Sequence, residues 1–244
     1  MEREINLYRN FLREKIIDTV FIGGGTPSSV DEKFIEKILK ILSDFEFSKN
    51  PEITIESNPN SLTREKAETY FSSGINRISI GAQSFNDEIL KKIGRIHKSE
   101  DIFRAVENSR GAGFENINLD LMLALPSQKF SDIEKSLSEI KKLDIPHISY
   151  YSLILEEGTR LYEAHKKSPL NFPDEDEDRK MYHYVVRELE KIGIDQYEIS
   201  NFAKKGFECR HNLTYWKLKD YLSFGLSASS NCLLYTSDAA DDSL

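Results

Sequence analysis

Cysteine is nearly absent from this chain: 244 residues carry two, Cys209 and Cys232, neither paired nor clustered by spacing. A disulfide framework is therefore excluded, and a reducing, cytoplasmic setting is expected. Long hydrophobic runs are missing too. No stretch approaches the ~18 to 20 apolar residues that cross a bilayer, so no membrane span is expected. Met1–Lys15 is charged and reads as an amphipathic helix rather than a secretory signal. Positive charge is in deficit, with 33 Lys and Arg against 41 Asp and Glu and a net charge of −8. That balance argues against nucleic acid as the main partner, because phosphate binding draws on a basic face. The local cluster Lys91, Lys92, Arg95, His97, Lys98 reads as a solvated helix end, and the acidic run Asp174 to Asp178 as a solvated helix start. No G-x-x-x-x-G-K-[ST] segment occurs and no G-x-G-x-x-G opens a helix, which removes triphosphate and dinucleotide readings. His97, His147, His165 and His183 have no metal-ligand spacing, and no Ser/His/Asp arrangement stands out.

What is present is a strand that runs into glycine. In Thr19-Val-Phe-Ile-Gly-Gly-Gly-Thr-Pro27, residues of buried-strand character meet three glycines, and an acidic helix opens near Asp31. Glycines at a strand's C-terminal end allow positive φ and close approach of a ligand, leaving backbone N–H and C=O groups free to bond it. Apolar runs then alternate with helical patterns. Strands are expected at about Thr19–Gly23, Glu52–Ser57, Arg77–Gly81, Asn116–Leu121 and His147–Ser152. Helices are expected at about Glu32–Leu42, Thr63–Ser72, Asp87–Ile93, Ser99–Gly111 and Ser131–Leu143. Strand spacings of roughly 25 to 40 residues suit right-handed parallel βαβ units, hence an α/β parallel sheet or barrel. After Ser152 the rhythm changes to a polar turn (Leu153–Thr159), a loop (Pro169–Arg179), a helix (about Asp176–Ile192), a strand-like Gln196–Ser200 and a polar-aromatic segment to Gly225.

Each expected strand ends in glycine or polar groups: Gly23-Gly24-Gly25-Thr26-Pro27, Glu56-Ser57-Asn58-Pro59, Gly81-Ala82-Gln83-Ser84, then Asp120, with Arg95 about one helix away from a strand end. Polar atoms from successive strands on one rim are the usual layout of a ligand site on this architecture. Glycine backbone and Thr26 suit an ammonium and a carboxylate. Glu56 and Asp120 accept from hydroxyls or an amine, Gln83 both donates and accepts, and Arg95 grips a carboxylate. The inventory fits a zwitterionic nucleoside better than a polyphosphate.

The segments FIGGGTPSSV, ITIESNPNSLT, GINRISIGAQSFNDEILKKIGRIHKSEDI, GFENINLDLMLALPSQ and YEISNFAKKGFECRHNLTYW together resemble the HemN/HemW group of radical S-adenosylmethionine proteins, over about residues 1–231. The resemblance implies an α/β partial parallel (β/α) barrel over residues 1–155, and over 156–231 the barrel end and the start of a smaller C-terminal α+β region. It implies S-adenosylmethionine contacts at Gly24, Gly25, Thr26, Glu56, Gln83, Arg95 and Asp120. His211-Asn212-Leu213-Thr214-Tyr215-Trp216 fits the H-N-x-x-Y-W signature of the heme-chaperone branch, which implies heme as cofactor, with contacts at His211 and Tyr215, and a heme-acceptor protein as partner. The alternative within the group is radical oxidative decarboxylation of coproporphyrinogen III propionates. From residue chemistry alone, His211 and Asn212 also suit a hydrogen-bonded turn and Trp216 a core position. The group's [4Fe–4S] cluster rests on a C-x-x-x-C-x-x-C motif that this sequence does not contain. The expectation is that the first strand and cluster loop belong upstream of Met1 in a longer parent, and that the chain as written is inactive in radical chemistry. Residues 232–244 resemble the translation of a sequencing adapter and are expected to be non-native.

Overall fold

The structure is a computed structural model and describes residues 1–226 and 228–232; apart from Cys232, the expected non-native tail lies outside the described residues. The chain opens with two short helices, α1 (Glu2–Leu7) and α2 (Arg9–Arg13), in place of the single helix expected over Met1–Lys15. The break falls at Tyr8. Its ring meets Phe224 edge-on at 5.9 Å, while Ile5 and Leu12 on either side turn into the same buried cluster. There follow β1 (Ile17–Ile22), a short 3-10 turn (Pro27–Ser29), α3 (Glu32–Leu42), β2 (Phe47–Ser57) and α4 (Arg64–Ser72). The chain continues through β3 (Arg77–Gln83), α5 (Asp87–Lys92), α6 (Ser99–Ala112), β4 (Asn116–Leu123), α7 (Phe130–Leu143) and β5 (His147–Ser152). It closes with α8 (Arg160–Lys167), α9 (Glu175–Glu190), β6 (Asp195–Gln196), β7 (Asn201–Ala203) and α10 (Arg210–Trp216).

Two compact units result. The larger comprises Ile22–Glu32 and Thr54–Glu208. In it the second half of β2 pairs with β3, β3 with β4 and β4 with β5, all parallel, as the βα rhythm predicts. Beyond β5 the direction changes: β7 is antiparallel to β5, and β6 to β7. Of the single strand expected at Gln196–Ser200, Gln196 ends β6 and the rest is the turn to β7. The Gln196 side-chain amide donates to the Ile199 carbonyl at 3.0 Å and Tyr197 N–H to the Asn201 carbonyl at 3.1 Å, bonds that close that turn. Helix α8 is not anticipated by hydrophobic period because it buries no residue; its signal is Thr159, whose hydroxyl accepts from Tyr162 N–H at 3.2 Å as an N-cap.

The parallel sheet has two chemically opposite faces. Ile55, Ile78, Ile80, Ile117, Leu119 and Ile148 are essentially fully buried on one, with α6 packed on β3, α4 on α6, and α7 on α9. Alternation sends Thr54, Arg77, Ser79, Asn118, His147 and Ser149 to the other, where they too are buried. Such a polar face must be satisfied by its own hydrogen bonds, and most of it is.

The smaller unit comprises Met1–Phe21, Lys33–Ile53 and the described residues from Cys209 onward. Its core is Ile5, Leu12, Leu42 and Phe45, with Ile17, Val20, Ile38, Phe47 and Leu222 packed around them. Ile17 N–H donates to the Glu46 carbonyl at 2.8 Å, which starts β1 beside the entry to β2.

Candidate ligand-binding site

In the larger unit the ends of the parallel strands enclose an open cleft of about 170 Å³, lined by Gly25, Thr26, Glu56, Asn58, Gly81, Gln83, Arg95, Asp120 and Tyr151 among others. Six of the seven positions expected to meet S-adenosylmethionine line this cleft. The seventh, Gly24, donates its N–H to Glu56 Oε2 at 3.1 Å at the same place.

The glycine loop holds its shape for local reasons. Gly24 and Gly25 have φ of +83° and +32°, the left-handed region that a side chain disfavours. Behind them the loop is pinned from β2 and α4. Asn58 donates through its amide to Thr26 Oγ1 (3.2 Å) and through its backbone to Ser28 Oγ (2.9 Å), and Lys66 Nζ donates to the Ser28 and Val30 carbonyls at 2.6 and 3.0 Å. Gln83 is aimed by a β-bulge. Ile80 pairs with Leu119 but Gln83 pairs with Leu121, so β3 carries one extra residue, and Gln83 takes φ +63°. A left-handed non-glycine residue at a cleft is strain of order 1 kcal/mol, held by its surroundings. A Cβ on Gly81 would lie 3.1 Å from the Gln83 amide nitrogen and 3.5 Å from Asn58 Oδ1, so only glycine leaves that amide its place. The loop bearing Arg95 is tied to the bulge by His97, buried, whose Nε2 bonds the Ala82 carbonyl at 3.1 Å.

The electrostatics suit an acceptor site. Burial pushes the Glu56 carboxyl above the ordinary range, neighbouring Asp120 adds to this, and the Gly24 N–H opposes it. Burial likewise raises Asp120, opposed by hydrogen bonds from Ser79 and Asn118, by nearby Ser149 and by the Arg77 charge. Burial, with Asp120, pushes the Tyr151 phenol up to about 12, so it stays a hydroxyl. Tyr151, Asn58 and Gly81 were not among the expected contact residues. Asn58 and Gly81 belong to strand-end groups that the sequence does mark, whereas Tyr151 sits inside the expected strand His147–Ser152 with no local signal.

His211 and Tyr215 lie in the smaller unit, on α10. Glu52, buried, holds the start of that helix: its two carboxylate oxygens accept from Arg210 N–H and His211 N–H, each at 2.9 Å, and Cys209 Sγ lies 3.4 Å from Oε1. The His211 ring stacks on Phe21 at 5.2 Å, and its nitrogens bond Thr19 Oγ1 (2.8 Å) and Tyr215 OH (2.9 Å). Trp216, which residue chemistry alone would also place in a core, is 54% exposed, and Tyr215 is partly exposed.

For an iron–sulfur cluster the residues present do not fit. Among the described residues no three His, Cys, Asp or Glu side chains gather as a metal site, and the thiol of Cys209 faces the Glu52 carboxylate. No described helix is long and apolar enough to cross a membrane.

A mostly parallel α/β sheet with a polar cleft at the strands' C-terminal ends defines the class, and the comparisons agree with it. Residues 1–140 match the Radical SAM superfamily, and the chain belongs to that family. Its fold is the partial (β/α) barrel of radical SAM type: the solved structure of Escherichia coli coproporphyrinogen III oxidase HemN, a radical SAM enzyme, superposes with a TM-score of 0.80. That match has 22% identity and covers 94% of this chain and 56% of the other, so the likeness is one of fold. Within the family the chain resembles the heme chaperones HemW. It is 41% identical to that of Bacillus subtilis (92% of this chain, 62% of the relative) and 39% identical to that of Lactococcus lactis (94% and 60%). It thus spans about three fifths of the length of these relatives.

Proposed function

We propose that the cleft binds S-adenosylmethionine and that the chain is part of a HemW-like protein that binds heme and passes it to acceptor proteins. The observation that carries the first half is the convergence of Gly25, Thr26, Glu56, Gln83, Arg95 and Asp120 on one polar cleft. Glycine-loop backbone and Thr26 suit the ligand's ammonium and carboxylate, Arg95 its carboxylate, and Glu56 and Asp120 its ribose hydroxyls. In radical SAM proteins that ligand, together with a reduced cluster, supplies an adenosyl radical. This chain's own residues bind and orient; its two cysteines supply no cluster site. The second half is supported by the likeness to HemW relatives and by α10, where Tyr215 and Trp216 offer aromatic surface to a macrocycle. Both ring nitrogens of His211 are engaged, so coordination of iron through Nε2 requires the Tyr215 hydroxyl to move aside.

Calorimetric titration with S-adenosylmethionine tests the cleft. Binding should weaken about tenfold or more in Asp120→Asn, which loses a charged acceptor, and no binding to the wild-type chain would reject the reading. Heme titration followed by the Soret band tests the other half, and an unchanged affinity in His211→Ala would remove His211 as a ligand. Robust coproporphyrinogen decarboxylation by a longer, cluster-bearing parent would replace the chaperone assignment with the oxidase one.

A further inference from the structure

Beneath the cleft, the buried polar face of the sheet carries a continuous hydrogen-bond chain. Asp120 Oδ2 accepts from Ser79 Oγ at 2.9 Å and Oδ1 from Asn118 Nδ2 at 2.7 Å. With its amide nitrogen committed there, Asn118 turns Oδ1 the other way, 2.6 Å from His147 Nδ1. That contact closes only if Nδ1 carries the proton, which leaves Nε2 as an acceptor for Tyr197 OH at 2.8 Å. Ser149 braces the row, 3.1 Å from Asn118 Nδ2 and donating to Asn201 Oδ1 at 2.7 Å. Asn118 is 1% exposed and His147 fully buried, so ligand reaches neither, and neither has a role in the cleft chemistry described above.

We propose that Asn118 and His147 are positioning residues for Asp120: the chain Tyr197–His147–Asn118–Asp120 fixes that carboxylate as an oriented acceptor whose remaining lone pairs face the cleft. The inference rests on reading the cleft as a site for ligand hydroxyls. A carboxylate left buried without donors takes up a proton and becomes a donor itself, so it can no longer receive a hydroxyl hydrogen. The groups around Asp120 set that balance. Burial favours its protonated form, and Glu56 from β2 stands beside it; Ser79 from β3, Ser149 from β5, Asn118 beside it on β4 and the Arg77 charge from β3 favour the anion. Tyr151 from β5 and Arg95 from the α5–α6 connection face it across the cleft. His147 itself is held neutral, well below its ordinary value, by burial and by Arg77, so it carries one proton, and the Asn118 Oδ1 acceptor places that proton on Nδ1.

The sign of the effect follows. Removing the Asn118 donor leaves burial less opposed, so Asp120 titrates at higher pH and binding becomes pH-dependent. The test uses Asn118→Leu and, as the gentler change, His147→Phe, each checked for a native thermal melt. The Asp120 carboxyl is followed by ¹³C NMR without ligand, and S-adenosylmethionine affinity by calorimetry. In Asn118→Leu the carboxyl should titrate at higher pH, and affinity should fall about tenfold at mildly acid pH and recover as pH rises. His147→Phe should shift both readouts in the same direction by less. A folded Asn118→Leu whose Asp120 titration matches wild type overturns the proposal. If that variant does not fold, an unshifted titration in His147→Phe overturns it equally. Should the carboxyl shift as stated while the wild-type chain binds no S-adenosylmethionine, the positioning role stands and the ligand assignment falls.

Discussion

Glycine and glutamine together settle the middle of the cleft rim. Gly81 matters for the space it leaves, since its absent side chain gives the Gln83 amide room beside Asn58. Gly81→Ala should therefore push that amide out of place and weaken S-adenosylmethionine several-fold, about 1 kcal/mol, by calorimetry. The melting temperature should hardly change, because Gly81 keeps an ordinary negative φ and the nearest obstacle is the end of a flexible side chain. An equal loss of stability and affinity would mean that Gly81 serves the strand and not the site. At this scale the sequence is partly legible. Glu56, Gln83 and Asp120 stand at strand ends where polar residues interrupt apolar runs, and the structure gathers them. Asn118 and His147 stay hidden, because their meaning depends on the β4–β5 register that sets Asn118 opposite His147, and no local pattern encodes a pairing across 29 residues.

Among the elements, those with an apolar stripe are readable, whereas α8, which has a cap but buries no residue, and those made by tertiary contacts are not. Helix α4 begins after Thr63, whose hydroxyl accepts from Lys66 N–H at 3.3 Å, as its place before the helical pattern suggests. Strand β2, expected from about Glu52, starts at Phe47, and Ser48-Lys49-Asn50-Pro51 lies inside it without any alternating apolar signal. Helix α10 buries no residue, and its start is held by Glu52, a residue far away in sequence that looks like any other strand-entry acid. Glu52→Leu should leave the Arg210 and His211 amides without an acceptor, a cost of about 1–3 kcal/mol each where buried. Hydrogen exchange at those two amides should accelerate, and fluorescence of Trp216, the single tryptophan, should report the freed helix. Unchanged protection at both amides would show that the helix is held by something else.

For the molecule as a whole, composition speaks first, through the cysteine count. Two cysteines, one of them against a buried carboxylate, cannot build the cluster that radical chemistry in this family uses. The family itself is legible in the sequence because its glycine loop, strand-end acids and bulge glutamine are local in sequence and convergent in space. The antiparallel pairing of β7 with β5 and β6 at the end of the sheet is not legible, because short strands with turn residues between them carry little periodic signal.

The opposed faces of the parallel sheet also dictate an order of events. Isoleucines on one side can attract their helices while still loosely arranged, because burial of apolar surface does not need fixed geometry. The Ser79, Asn118, Ser149 and His147 side is stable only once its partners are aligned, and until then water serves those groups better. Kinetic dissection should therefore give Ile80→Val and Leu119→Ala φ-values well above those of Ser79→Ala and Ser149→Ala. The pocket's floor would then be the last thing the chain completes, and a binding-incompetent but compact species should precede the native one.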